Sequence, residues 1–329
     1  MDEKILVTGG TGRIGKHLIN ALVKDGEKVR ALVKERTVEN ENVEIFYGDL
    51  LDKESLKKAA DGVDVIYHLA AVVDYQASKD LMFNVNVVGT KNLLEVSKAK
   101  KFIYLSSTAT MGKKLKEVPA TENTPTRPSE FYGETKLEAE KFVKENGGII
   151  IRSADVYGPG FEEGYFSVFQ RLEHGEMPIF GDGKNFLQWI HINDLIQALL
   201  LAKENGKPGE VYIVTGKDFK TQKELYEMVC KNLGVNFVEK HTSPSMAKLF
   251  LTFKSIGKKE KQKFIPEYIN KIAANRTFDI AKARKELGYE PKIDYETGMG
   301  EVVEEYKKSK QQEENVTQEQ SKEQSQGKD

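Results

Sequence analysis

The sequence predicts an α/β fold built on a doubly wound parallel sheet, extended by a smaller lobe toward the C-terminus. Three observations lead there. Apolar runs alternate with amphipathic stretches through the first half. A glycine-rich turn joins the first apolar run to the first amphipathic stretch. After about residue 155 the alternation gives way to mixed aromatics and glycines. Alternating strands and helices on short links imply parallel strands covered by helices on both faces, and near-continuous apolar strands agree with that burial.

The elements follow in order. Ile5-Leu6-Val7 is a buried strand, and residues 13–24 are a helix with Ile14, Leu18 and Leu22 on one face. Strands are predicted at 29–33, 43–47, 63–69, 102–105 and 149–151, and helices at 53–60, 80–99 and 130–145. Beyond the irregular stretch, 194–203 returns to a helix and 210–214 to a strand. Ser243-Pro244 reads as a helix start, with serine as cap and proline in the first turn. The expected division is a sheet-bearing domain over 1–155 and 190–214 and a smaller lobe over 156–189 and 215–306. From Lys307 the chain is Gln, Glu, Lys and Ser, so 307–329 is expected to be a disordered polar tail.

Composition narrows the class. The 329 residues are 39 % hydrophobic and 31 % charged, enough for a large core under a solvated surface. A net charge of −1 gives no global basic bias toward nucleic acid. The single cysteine, Cys230, has no partner for an internal disulfide, which fits a reducing compartment. No stretch approaches the ~20 apolar residues of a membrane span. The reading is of a cytoplasmic protein.

Thr8-Gly9-Gly10-Thr11-Gly12-Arg13-Ile14-Gly15 sits at the first strand–helix junction. Gly9, Gly12 and Gly15 have the spacing a tight turn needs when backbone must approach a pyrophosphate and a helix must pack on a strand. The helix opened by Thr11 to Gly15 offers N–H groups and a positive dipole end to phosphate. Position and pattern together predict a Rossmann-type dinucleotide site. The second strand does not end on the acid expected for an NAD ribose; Val33-Lys34-Glu35-Arg36 stands there. Lys34 and Arg36, with Arg13, favour a 2′-phosphate and therefore NADP over NAD. Glu35 overturns this if its carboxylate reaches the ribose.

Further motifs follow in fixed order: Gly48-Asp49-Leu50, His68-Leu69-Ala70-Ala71, Asn86-Val87-Val88-Gly89-Thr90, Leu105-Ser106-Ser107-Thr108-Ala109 and Tyr132-Gly133-Glu134-Thr135-Lys136. Val156-Tyr157-Gly158-Pro159-Gly160, Trp189 to Asp194 and Ala283 to Pro291 continue it. Over residues 4–305 the series resembles the extended short-chain dehydrogenase/reductases of the NAD-dependent epimerase/dehydratase family. It lies nearest in pattern to dihydroflavonol-reductase-like and 3β-hydroxysteroid-dehydrogenase-like members. The resemblance implies a sheet of about seven strands and a small C-terminal substrate lobe. It implies that Asp49 and Leu50 flank the adenine, that Leu69, Ala70 and Ala71 lie beside the cofactor, and that Asn86 buttresses the central helix. Thr108, Tyr132 and Lys136 match the catalytic Ser/Thr, Tyr and Lys, and the lysine also holds the nicotinamide ribose. A homodimer through helices 80–99 and 130–145 is implied as well.

The chemistry agrees. A developing alkoxide needs a proton, and a tyrosine with an ordinary pKa near 10 is a poor base at neutrality. An ammonium one helical turn away, as Lys136 is from Tyr132, favours phenolate. Tyr-x-x-x-Lys occurs three times, at Tyr75/Lys79, Tyr132/Lys136 and Tyr306/Lys310. Only Tyr132 opens the helix after the Ser-Ser-Thr strand; Tyr75 is expected to line the substrate pocket. His68 and His191 end strands without metal-type spacing and read as structural.

The reaction can be narrowed. Ala109 and Thr110 follow Thr108 where sugar dehydratases of the family carry an acidic pair, which argues against elimination. Asp155, Leu187 and Gln188 replace the Asn and Arg that many nucleotide-sugar enzymes use, leaving Arg171, Lys184 or Arg276 as substitutes for binding a pyrophosphate. Met246 to Phe253 is apolar enough to cover a substrate. The expected activity is therefore NAD(P)-dependent interconversion of a secondary alcohol and a ketone on a small, moderately apolar molecule. The alternatives are a nucleotide-sugar 4-epimerase and a non-catalytic dinucleotide-binding regulator. The intact Thr108/Tyr132/Lys136 set argues against the last.

Overall fold

In the computed structural model, which describes residues 3–74, 76–247, 269 and 272–326, the apolar runs become seven strands of one sheet. They are β1 (Lys4–Thr8), β2 (Lys28–Val33), β3 (Val43–Tyr47), β4 (Val65–His68), β5 (Lys101–Ser107), β6 (Ile149–Ser153) and β7 (Val211–Val214). Their order is β7-β6-β5-β4-β1-β2-β3, and every pairing is parallel. Ile5 faces Val29 on one side and Val65 on the other. The direction of winding reverses between β1 and β4, the place where a parallel sheet opens a crevice at its carboxyl edge.

The described residues fall into two compact units, one of 1–156, 186–219 and 274–293 and another of 157–185, 220–273 and 294–329. In the first, α1 (Arg13–Lys24) packs beside the helix at Ile192–Asn205, while α2 (Lys53–Ala59), α4 (Gly89–Val96) and α5 (Phe131–Glu145) pack beside one another. The helix expected at 80–99 is composite: α3 (Lys79–Phe83) runs through a π-helical turn, Asn84–Val88, into α4. Ser78 caps α3 by accepting from the Leu81 N–H at 3.1 Å.

The contact boundaries differ from the expected domains at 186–189, 215–219 and 274–293, which join the sheet-bearing unit. The reason is specific pairing. Phe278 and Arg276 bridge to Ala120 and Leu187. The Tyr289 hydroxyl donates to Thr215 O at 2.7 Å. Asp194, 2 % exposed in the first turn of α7 (Ile192–Asn205), accepts from the backbone N–H of Lys292 and Ile293 at 2.9 and 3.1 Å.

The second unit contains α6 (Glu162–Glu173), α8 (Gln222–Leu233) and, in place of the tail expected over 307–329, a long helix over Tyr295–Gln326. Two causes account for that helix. Tyr295, Met299, Val302, Val303 and Tyr306 bury one face of its first turns, and Lys, Glu and Gln beyond them are strong helix formers. Phe166 and Phe169 meet Tyr306 edge-on, and its hydroxyl donates to Glu173 at 2.9 Å. Ser243 caps the short helical turn after it, its Oγ accepting from Met246 N at 3.1 Å. Tyr75 and most of the 246–253 stretch lie outside the described residues. No helix among the described residues is long and apolar enough to cross a membrane.

Asp194→Ala is expected to cost about 2 kcal/mol, because two backbone donors lose their acceptor. Urea unfolding and faster amide exchange at Lys292 and Ile293 check this.

Candidate active site

The glycine turn is shaped by backbone proximity. Gly9 has φ +72°, and a Cβ there would lie 2.8 Å from Ala70 N. A Cβ on Gly15 would lie 2.2 Å from Gly9 O. The loop after β1 and the loop after β4 are therefore packed backbone to backbone, which puts Leu69 and Ala70 beside the glycines, with Ala71 next in the chain. Gly12 is the N-cap of α1 and supplies no side-chain cap, and the first turn has no acid. An uncapped helix start above a tight glycine turn suits an anionic group. Thr11, Arg13 and Ile14 line the same turn, with Arg13 exposed.

Along the crevice, Asp49 accepts from the Leu51 N–H at 2.9 Å and pairs with Lys34 Nζ at 2.9 Å. That backbone hydrogen bond and the lysine hold the Asp49 carboxyl below its ordinary range. Lys34, expected to face a phosphate, is thus already paired, whereas Arg36 and Glu35 are exposed. The Leu50 carbonyl accepts from Asn92 Nδ2 at 3.0 Å, which fixes this loop to α4.

A chain of side chains runs from the turn to α5. Thr8 Oγ1 accepts from Ala70 N and meets His68 Nδ1 at 2.7 Å. His68 Nε2 meets Thr90 Oγ1 at 2.8 Å, and Thr90 donates to Asn86 O at 2.7 Å. With the Thr90 proton so committed, His68 donates from Nε2 and accepts at Nδ1. Full burial, with the Lys136 charge adding to it, pushes the imidazole pKa down to about 3 and keeps it neutral. Asn86 accepts from Val72 N at 2.7 Å and donates to Val72 O and to Thr135 Oγ1, both at 3.0 Å. Thr135 donates to Tyr132 O at 2.8 Å. Asn86 thus ties the β4 loop to the first turn of α5, between Tyr132 and Lys136.

Lys136 is 2 % exposed, and its Nζ lies 4.0 Å from the centre of the Tyr104 ring. Burial depresses its pKa to about 7, partly offset by Glu140 one turn on. Glu140 is itself held by Arg152, with contacts of 3.0 and 2.7 Å, and by the Ser106 hydroxyl at 2.5 Å. The half-buried Tyr132 phenol is pushed above its ordinary value by burial first and by the Asp155 carboxylate second. In the protein by itself burial and Asp155 thus outweigh any lowering by Lys136, and Tyr132 holds its proton.

Thr108 is buried in the 3₁₀ turn that follows β5. Its backbone carbonyl and Oγ1 accept from Arg276 Nη2 at 3.0 and 3.3 Å. Sequence patterns missed this contact as well as the Glu140–Arg152–Ser106 group. The spacing of Glu140 four residues after Lys136 was the available signal for the latter.

Comparison with known proteins agrees with this geometry. The profile of the NAD dependent epimerase/dehydratase family matches residues 5–215. An uncharacterized protein of Sinorhizobium fredii is 32 % identical, covering 87 % of this chain and 74 % of its own. A 3-beta-hydroxysteroid dehydrogenase of Mycolicibacterium neoaurum is 29 % identical, with 91 % of this chain and 90 % of its own covered. Among solved structures, UDP-glucose 4-epimerase of Thermotoga maritima with UDP-glucose superposes with a TM-score of 0.75 at 27 % identity, covering 93 % of this chain and 99 % of that one.

The burial of Lys136 makes a stability prediction. The unfolded chain takes up this proton near 10.5 and the folded one near 7, so between them the unfolded state binds more protons and stability rises with pH. Lys136→Met is expected to be more stable than the parent at pH 7 and to lose that component of the slope. Chemical denaturation from pH 6.5 to 10 measures both.

Proposed function

The chain belongs to the NAD dependent epimerase/dehydratase family, and from that premise we propose that it is an NAD(P)-dependent oxidoreductase interconverting a secondary alcohol and a ketone on a small, moderately apolar molecule. The observation that carries the reading is the placement of Tyr132 in the first turn of α5, one turn before the buried Lys136 and in the helix that packs on the turn carrying Thr108. A protonated phenol is the group needed to protonate the oxygen of a ketone as it is reduced. NAD(P), when bound, supplies and takes up the hydride.

The remaining roles follow from position. Tyr132 serves as general acid in reduction and general base in oxidation. Thr108 hydrogen-bonds the substrate oxygen. Lys136 stabilises phenolate in the oxidative direction and holds the nicotinamide ribose. Gly9, Thr11, Gly12, Arg13, Ile14 and Gly15 receive the pyrophosphate, Asp49 and Leu50 flank the adenine, and Leu69, Ala70 and Ala71 line the crevice between them, with Asn86 holding that loop to α5. The first unit binds the dinucleotide, and the second is the substrate lobe. The cofactor is NADP before NAD, because β2 ends without a carboxylate and exposed Arg36 stands beyond it; with Lys34 committed to Asp49, Arg36 is the principal 2′-phosphate contact and Lys34 joins it by exchanging partners. The helices at 79–96 and 131–145 form a homodimer contact, which sedimentation equilibrium checks.

A second reading, a nucleotide-sugar 4-epimerase, is favoured by the likeness to the Thermotoga structure. Net appearance of reduced cofactor distinguishes the two, since an epimerase regenerates its cofactor in each cycle.

Absorbance-monitored hydride transfer with NADP and NAD, over secondary alcohols, ketones and UDP-sugars, is expected to show net redox chemistry. Tyr132→Phe is expected to lower kcat by about 10²–10⁴-fold. Asp155→Asn removes the carboxylate that opposes phenolate, so the rising limb of the oxidation profile, along which the phenol loses its proton, is expected to move to lower pH, by about half a unit to one unit. Arg36→Ala is expected to raise KM for NADP about tenfold with little change for NAD. Epimerised UDP-sugar without net redox change replaces the proposal with the second reading.

A further inference from the structure

Arg276 is a guanidinium only 6 % exposed, and it has no carboxylate within ion-pair distance among the described residues. One of its nitrogens is used: Nη2 donates to Thr108 O at 3.0 Å and to Thr108 Oγ1 at 3.3 Å. Nε is buried, and neither it nor Nη1 has an acceptor among the described residues. The Phe278 ring, its centroid 5.6 Å from the guanidinium carbon, supplies only a weak electrostatic partner. A buried cation without a counter-ion is costly, and one in a folded protein calls for an explanation.

We propose that Arg276 is the seat of an anionic group on the substrate, a carboxylate borne one or two carbons from the carbon that is oxidised or reduced. This rests on the assignment of Thr108 to the substrate oxygen given above. Because Thr108 Oγ1 accepts from the guanidinium, its own proton is directed outward to that oxygen. A second oxygen hydrogen-bonded to Nη1 then sits roughly 5–6 Å from Thr108 Oγ1, given ordinary bond lengths. The span from a hydroxyl to a carboxylate in a 2- or 3-hydroxy acid fits between the two. The planar edge formed by Nη1 and the second Nη2 proton matches the two oxygens of a carboxylate. A pyrophosphate carries more charge and calls for more than one cation, so a single guanidinium favours the carboxylate.

The test uses the full chain loaded with NADP. Malonate, a small dicarboxylate without a reducible carbonyl, is titrated calorimetrically into the parent, Arg276→Lys and Arg276→Met. Binding is expected in the parent, weaker in the lysine variant and at least about 50-fold weaker in the methionine variant, at the strength of a lost charged hydrogen-bond pair. Turnover of a 3-hydroxy acid is compared with that of its methyl ester. The parent is expected to prefer the acid, and the ratio of the two kcat/KM values is expected to fall about 50-fold in Arg276→Met and less in Arg276→Lys. Equal malonate binding by all three proteins overturns the proposal, as does a parent that prefers the ester. Unchanged NADP affinity in the variants shows that they are folded. Arginine-dependent malonate binding with no hydride transfer on any acid, ester or ketone sustains the anion seat and removes the oxidoreductase reading instead. UDP-sugar turnover sensitive to Arg276, with no malonate binding, assigns the residue to a phosphate and overturns the carboxylate.

Discussion

The first unit is organised around one place that has no room for a side chain. Where β1 ends, Gly9 lies so close to Ala70 that even a methyl group would overlap backbone, and Gly15 faces the Gly9 carbonyl in the same way. Two strands that are distant in sequence and adjacent in the sheet must therefore leave it with their loops in contact. Thr8, His68, Thr90, Asn86 and Thr135 extend that contact as a line of hydrogen bonds to the backbone of Tyr132. The neutral imidazole at its centre is what allows the line to be buried at no charge. The turn that suits a pyrophosphate and the helix that presents the phenol are thus parts of one hydrogen-bonded assembly, and the position of either constrains the other.

Electrostatics run in a second layer beneath this one. Lys136 is kept out of water against the ring of Tyr104, while Glu140, Arg152 and Ser106 form a hydrogen-bonded group one turn away. Buried ion pairs of this kind add little net stability over an apolar core. Their effect is local: a carboxylate near Lys136 offsets part of the desolvation that would otherwise discharge it further. A site that must hold cations in a poorly solvated interior gives up stability to do so.

Much of this was legible in sequence. The strand–helix alternation and the glycine spacing identified the sheet and its turn, because both are periodic and local. Tyr132 was separable from Tyr75 and Tyr306 because only it opens the helix after β5. What escaped depended on contacts between distant residues. Asp194 draws Lys292 and Ile293 onto the sheet-bearing unit across nearly a hundred positions, and no pattern near either end announces it. Lys34 at the end of β2 pairs with Asp49 in the loop after β3, a contact no local pattern announces. The polar stretch after Lys307 has almost no apolar residues of its own, and its helix continues from the buried turns before it. Arg276 meets Thr108 across 168 positions.

The π-helical turn at Asn84–Val88 carries one more residue than an α-turn. The extra residue changes the phase of everything after it by about 100° relative to the helix before it. Asn86 lies inside the widened turn and Thr90 just beyond it, and both face the ends of the sheet, whereas Lys79, on the earlier phase, reaches the Phe131 ring at 5.0 Å. A straight helix of the same composition would aim only one of these sets correctly. The turn acts as one extra residue in an otherwise α-helical stretch. Losing one residue there would leave a better helix and a misaligned one, so a variant with shorter, more regular geometry at this point would be a poorer version of the same protein.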